Sequence, residues 1–413
     1  MFDRRRFLTA SASGLILSGS GTWSAAARAA DSILGPASLP SGALDSALLE
    51  TLPGKAPLIK KSFRPPNFET PVEYFNQAYT PNDAFFVRYH LANIPQVDAA
   101  SWKLTVGGDA AEKPFVLTLE QLKREFEPVE IAALCICSGN RRGLSDPHVP
   151  GVQWGYGAMG NAKWKGIRLK DVLSRAGLKK EAVEVVFDGA DGPVLDKTPD
   201  FVKSVPVWKA IDDSTILAYE MNGEPLPHWN GFPVRVVVPG WTATYWMKHV
   251  TSIQALSQPF KGFWMASAYR IPKGKFPVID RFLSQETDAN TPITEMVVSS
   301  LVTNLQDGST LAAGRAASVR GVAWDGGYGI REVEVSIDAG KSWRPAELGP
   351  DLGRYAWRQW SYGIPAPEAG DYVVMAKATN RVGASQTFEL VFNPAGYHNN
   401  VVQRLRVKVA QPG

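Results

Sequence analysis

Apolar positions recur with three different spacings along the chain. Leu119, Leu122 and Phe126 share one helical face, and Thr118 with Gln121 three residues on forms a capping box, so a short helix is predicted to begin there. Leu169, Val172, Leu173 and Ala176 give a second amphipathic helix, which stops at Gly177. Asn222-Gly223 lies between the apolar runs Ile216–Met221 and Val234–Val238 and predicts a tight turn. Strand and helix signals mix here without the regular alternation of a doubly wound sheet, which makes the region α+β. After about Asp288 the helical spacing vanishes. Six strand-like runs follow, with turn residues between them: Ala316–Trp324, Glu332–Ile337, Tyr355–Trp360, Asp371–Ala378, Gln386–Val391 and Arg404–Val409. Such spacing predicts an immunoglobulin-like β-sandwich. Asp31 to about Pro81 is proline-rich with few periods and reads as an extended N-terminal wrap. The expected organisation is an export signal at 1–30, a catalytic domain at 31–287 with the wrap at 31–81, and the sandwich at 288–413.

Composition adds exclusions. At 413 residues, 45% hydrophobic and 20% charged, the chain supports a large core and is neither disordered nor fibrous. Two cysteines are too few for a disulfide framework. The formal charge of +4 is concentrated at the start: the first thirty residues hold four arginines against one aspartate, leaving +1 on the rest. That is no footprint for nucleic acid or an anionic membrane. Arg4-Arg5-Arg6 precedes a weakly apolar stretch ending in small residues, which reads as a cleavable signal. Arg4-Arg5-Arg6-Phe7-Leu8 resembles a twin-arginine signal, with a Sec signal as the alternative. The expected location is the periplasm, reached in a folded state.

The chemistry starts at Cys137. The apolar run Ile131–Cys137 enters a turn, Ser138-Gly139-Asn140-Arg141-Arg142. A thiol beside two guanidiniums favours the thiolate, which suits a soft-metal ligand or a nucleophile. The alternative is a small buried hydrophobe, and that is the preferred reading for Cys135. The Cys-Ile-Cys spacing is not a zinc signature.

Cys137-Ser138-Gly139-Asn140-Arg141-Arg142 resembles the molybdenum-ligating segment of the sulfite oxidase family. Further segments match in order: Phe85-Phe86-Val87-Arg88-Tyr89-His90, then Gly157 to Trp164 followed by Gly166, then Tyr219 to Pro227, then Gly231 to Gly240. The likeness continues through Gly321–Trp324, Asp338–Trp343 and Asn393–Tyr397. It implies a molybdopterin domain of sulfite-oxidase type followed by a sandwich that forms a homodimer. It also implies a molybdenum–pterin cofactor and the oxidation of sulfite to sulfate. By position, Cys137 is the metal's thiolate ligand, Arg88 and Arg142 are the substrate arginines, and Tyr269 is the active-site tyrosine. Phe86, Val87, Arg88, Tyr89 and His90 border the cofactor. Asp191, His228, Asn230, Arg235, Trp246, Met247 and Lys248 hold the pterin and its phosphate. Asn230 stands where the family commonly has His before Gly-Phe-Pro, and Gly240–Lys248 is more aromatic than the family pattern.

The chain carries no Cys-x-x-Cys-His haem motif, dinucleotide fingerprint or Walker loop. The expectation is therefore no haem in this chain, with electrons passing to a periplasmic c-type cytochrome. Two other functions fit parts of the pattern. A molybdopterin reductase of sulfoxide-type substrates would share the cofactor, and a binding protein would use the sandwich alone.

Overall fold

Both helices start and stop where the sequence marks them. In the computed structural model, which describes residues 49–274 and 285–411, the first helix spans Leu119–Glu125. Thr118 Oγ1 accepts from Gln121 N at 3.2 Å, and Gln121 Oε1 accepts from Thr118 N at 2.9 Å, closing the capping box. The second helix, Leu169–Arg175, buries Leu169, Val172 and Leu173. The signal expected at 1–30 lies outside the described residues, as does the first part of the wrap.

Three sheets build the larger part of the molecule. The first orders the strands Leu49–Glu50, Leu58–Ser62, Asn67–Glu69 and Val87–Arg88. The wrap expected at 31–81 is thus partly a sheet. Its strands have only two to five residues, too short to show a period. The second sheet runs Lys203–Pro206, Glu184–Gly189, Val250–Leu256, Lys103–Gly107 and Phe115–Thr118, with one parallel pair between the third and fourth. The third pairs Glu224–Pro225, Ile216–Met221, Met159–Arg168 and Pro128–Ile136, and Arg235–Val237 also pairs with Ile216–Met221. Asn222 and Gly223 both have positive φ, 53° and 83°, as the predicted tight turn requires.

Two further sheets form the C-terminal sandwich. One contains Ser299–Val302, Ala317–Trp324, Arg358–Ile364 and Glu347–Leu348. The other contains Thr310–Ala312, Arg404–Ala410, Gly370–Asn380, Ile330–Ser336 and Arg344–Pro345. Two expected strands differ. The run at Tyr355 is displaced to Arg358–Ile364, because Tyr355 O accepts from Leu134 N (2.9 Å) in the larger part instead. Gln386–Val391 forms no strand: Phe388 and Val391 are exposed, and the buried Gln386 Oε1 accepts from Ala378 N and Ser300 Oγ. That amide does what a ladder carbonyl would have done.

The strand Pro128–Ile136 joins two cores by simple alternation. Ala133, Cys135 and the following Cys137 belong to the core of the larger part. Leu134 and Ile136 point the other way, packing with Phe75 and Met159 against Met296, Leu301, Val322, Trp324 and Trp357. The sandwich therefore backs the strand that delivers Cys137.

Candidate active site

Cys137 sits just past the end of its strand, with its N–H donating to Ala158 O at 2.9 Å. The chain then turns tightly: Asn140 N donates to Cys137 O (3.0 Å) and Arg142 N to Gly139 O (2.9 Å). A Cβ at Gly139 would lie 2.5 Å from the Arg142 guanidinium, which would have to shift to make room. Arg141 leaves the turn at φ 68°. Its buried guanidinium donates to Val401 O (3.1 Å) and Ser300 O (2.8 Å), both in the sandwich.

Cys137 borders a cavity with about 640 Å³ of empty space, partly open to solvent. Of the residues expected at the site, Phe86, Arg88, Tyr89, His90, Cys137, Asp191, Asn230, Arg235, Trp246, Met247, Lys248 and Tyr269 line it. Val87, His228 and Arg142 do not. Val87 packs with Leu58, Phe68 and Tyr89, as strand alternation beside Arg88 dictates. His228 sits behind the lining, its ring against Trp229 and His249. Arg142 Nε donates to Ala395 O at 2.7 Å and Nη1 to Val152 O at 3.2 Å, with the guanidinium against the Tyr397 ring. It braces the turn against the sandwich.

Two sets of polar side chains face the cavity. In the first, Arg88 Nη2 approaches Tyr269 Oη at 3.5 Å, and His90 Nε2 hydrogen-bonds the same hydroxyl. Tyr269 adopts φ 57° and stacks on Tyr397. Burial, with Arg88 beside it, holds the His90 imidazole well below the usual histidine range, so the ring is neutral at pH 7. Burial pushes the Tyr269 phenol up while Arg88 pulls it back. In the second set, Arg235 donates to Asn230 O (2.9 Å) and Trp246 O (3.1 Å), and Lys248 Nζ to Trp229 O (3.3 Å). Burial and Arg235 depress the Lys248 ammonium strongly, whereas burial pushes the Asp191 carboxyl up to about 6 against the pull of Lys248.

Sequence reasoning missed several residues. Cys135 is core, as read, but it also lines the cavity, with Sγ 4.0 Å from Arg235 Nη2, and burial pushes its thiol up to about 11. Its position two residues from Cys137, on the same strand face, was the available signal. Phe85, Ser138 and Trp229 also line the cavity as chain neighbours of expected residues, and Ala243 and Thr244 lie in the unusually aromatic segment. Phe201, stacked on His90 with ring centroids 3.5 Å apart, had no signal. Nor had Lys203, a buried ammonium 5.2 Å from the Tyr269 ring that donates to Trp264 O.

These residues fit a molybdenum–pterin cofactor. Among the described residues no three His, Cys, Asp or Glu side chains gather in one place, so a metal at Cys137 would draw its other ligands from outside the chain. Arg235, which lines the cavity, has its Nε buried without a hydrogen-bond partner. Arg235 and Lys248 against one carboxylate suit a phosphate tail, whose negative charge would favour the Lys248 ammonium that burial and Arg235 otherwise depress.

Comparison with known proteins agrees in both parts of the chain. Residues 90–264 match the family described as oxidoreductase molybdopterin binding domain, and residues 290–410 match the Mo-co oxidoreductase dimerisation domain. The chain is 36% identical over 369 residues to mitochondrial sulfite oxidase of Drosophila melanogaster, covering 84% of this chain and 62% of that protein. It is 33% identical over 335 residues to sulfite oxidase of Gallus gallus, covering 77% and 70%. A crystal structure of the sulfane dehydrogenase SoxCD from Paracoccus pantotrophus matches with a TM-score of 0.71 and 25% identity, covering 90% of this chain and 91% of that one.

Proposed function

Because the chain belongs to the sulfite oxidase family of molybdopterin oxidoreductases, we propose that it oxidises sulfite to sulfate at a molybdenum–pterin centre ligated by Cys137. One observation carries this reading: a single cavity brings the Cys137 thiol together with Arg88, His90 and Tyr269 on one set of walls and Arg235 and Lys248 on another. The bound molybdenum supplies the two-electron redox change and the oxygen transfer. The chain's own residues do the rest. The Arg88 guanidinium draws the sulfite dianion in through charge-assisted hydrogen bonds. Neutral His90 and Arg88 fix the Tyr269 hydroxyl, which orients the oxyanion and holds a proton at Oη. Arg235 and Lys248 neutralise the pterin phosphate, and Asp191 accepts hydrogen bonds from the pterin ring.

Electrons then leave one at a time to a c-type cytochrome, the sandwich pairs two copies, and the twin-arginine signal takes the folded enzyme to the periplasm. The dimer rests on the family's dimerisation domain and the export route on the run Arg4-Arg5-Arg6-Phe7-Leu8, while the cytochrome is the acceptor that the assay below tests. The deciding measurement is molybdenum content together with sulfite-dependent reduction of cytochrome c. Purified protein without molybdenum would refute the reading. Molybdenum-loaded protein that oxidises a sulfane sulfur donor but not sulfite would move the substrate assignment to the chemistry named for the Paracoccus enzyme.

A further inference from the structure

Lys55 belongs to none of the motifs above, yet its ammonium is buried against the cofactor cavity. Nζ donates to Asn230 Oδ1 at 2.6 Å, Asn82 O at 2.6 Å and Phe85 O at 3.0 Å. Three acceptors match the three N–H donors of an ammonium. Asn230 is a junction in turn. Its Nδ2 donates to Phe86 O (3.1 Å), and its backbone oxygen accepts from Arg235 Nη1 (2.9 Å). The segment around Lys55 is fixed at both ends: Trp229 Nε1 donates to Pro53 O (2.9 Å), and Ala56 N to Asp83 O (3.1 Å). One buried side chain thus ties the loop that carries Arg88 to the residue that supports Arg235.

We propose that Lys55 is a positioning residue which, through Asn230, sets the Phe85–His90 loop and Arg235 in the geometry that retains the pterin and binds the anion. This rests on the functional reading above. It also defines what Asn230 does, since the amide faces Lys55 and the Phe86 carbonyl and acts on the cofactor through them.

The test uses the full chain with Lys55→Met, Asn230→Ala and the double variant. Pterin and molybdenum per chain, the unfolding midpoint of cofactor-free protein, and KM and kcat per molybdenum are measured. Each single variant is expected to lose about tenfold in pterin retention, the range found for groups that orient first-contact ligands. KM for sulfite in the loaded fraction should rise severalfold with kcat per molybdenum nearly unchanged. The double variant should be no worse than the weaker single. A lower unfolding midpoint with unchanged pterin content and KM would overturn the proposal, and so would additive losses. Should Lys55→Met not fold, Asn230→Asp still accepts from Lys55 and should retain more pterin than Asn230→Ala; equal loss overturns the proposal. Wild-type protein that holds pterin but oxidises no sulfite removes the functional reading alone, because the retention measurement needs no substrate. Wild-type protein without pterin overturns both.

Discussion

Two segments meet at the cavity, and they are anchored to different parts of the molecule. The Cys137–Arg142 turn is closed by its own backbone and nailed to the sandwich by two guanidiniums whose acceptors are main-chain carbonyls. The Phe85–His90 segment is held by both means: its strand Val87–Arg88 pairs with Asn67 and Phe68 and Tyr89 N donates to Pro66 O (3.2 Å), while side chains fix the remainder, Lys55 on Phe85 O, Asn230 on Phe86 O, His249 on the Tyr89 hydroxyl (2.7 Å), and Tyr269 on His90. Arginines of the same sequence-level promise therefore have different work. Arg142 has its guanidinium engaged by Ala395 and Val152. Arg88 is engaged too, by Asn67 Oδ1 (3.2 Å), Tyr89 O and Tyr269 Oη, but unlike Arg142 it lines the cavity. The proposed metal ligand thus sits on a turn braced against the sandwich, and the proposed substrate arginine Arg88 on a strand edge braced by side chains within the larger part.

The sharpest way to break this contrast is at the ligand. Cys137→Ser is expected to abolish sulfite turnover with the fold intact, because a hydroxyl replaces a soft thiolate poorly. Cys135→Ser should keep substantial activity, since its thiol, raised by burial, is a poor thiolate donor near neutral pH. Steady-state kinetics with molybdenum analysis on both variants checks the pair, and comparable turnover in the two would sink the assignment. Next in size is Tyr269→Phe, which keeps the stack on Tyr397 but removes the hydroxyl shared by His90 and Arg88. Turnover should fall by about a hundredfold, the lower range for a positioned proton-handling group, with KM much less affected.

The arginines test the contrast directly. Arg88→Gln should raise KM for sulfite about ten- to a hundredfold, as expected from losing a charge-assisted hydrogen bond of about 1.5–3 kcal/mol, and lower the unfolding midpoint less than Arg142→Gln does. Arg142→Gln should do the reverse first, lowering stability by about 1.5–3 kcal/mol as the buried Ala395 carbonyl and the half-buried Val152 carbonyl lose a charged donor. Denaturant unfolding and kinetics on both proteins decide it. Two variants with the same profile would erase the distinction between the loops.

Much of this was legible in the sequence because short local signals determined it. Thr118-x-x-Gln121 gave its capping box, Asn222-Gly223 its turn, and the strand Glu332–Ile337 its alternation in near-register with Ile330–Ser336. The cysteine turn was legible because a motif of consecutive residues builds it. The parts that were not legible depend on distant partners. Nothing near Arg142 announces that Ala395, far along the chain, will take its hydrogen bond. Lys55 and Lys203 look like surface lysines until the fold buries them. The run at Gln386 had the composition of a strand, but the Gln386 side-chain amide takes the Ala378 N–H, and the backbone makes only isolated bridges at Ser385 and Thr387.

The smallest effect concerns Asp191, on the cation-rich wall. Burial raises its carboxyl to about 6 from an ordinary value near 3.8, only partly offset by Lys248. Between those values the folded protein keeps a proton that the unfolded chain has released. Stability from this group is therefore fully present below about pH 4 and is lost as pH rises toward 6. Asp188, raised for the same reason, moves in the same direction, so the wild-type profile alone does not isolate Asp191. The difference between wild type and Asp191→Asn does. In cofactor-free protein the variant should gain stability relative to wild type as pH goes from 4 to 6, and hold that gain to pH 7. With pterin bound, the same substitution should cost retention instead, because the carboxylate then has hydrogen-bond donors from the ring. Denaturant midpoints at pH 4, 5, 6 and 7, with and without cofactor, read both signs. A variant that is less stable at every pH without cofactor would show that Asp191 serves as the fixed counter-charge of Lys248 and not as a group waiting for a ligand.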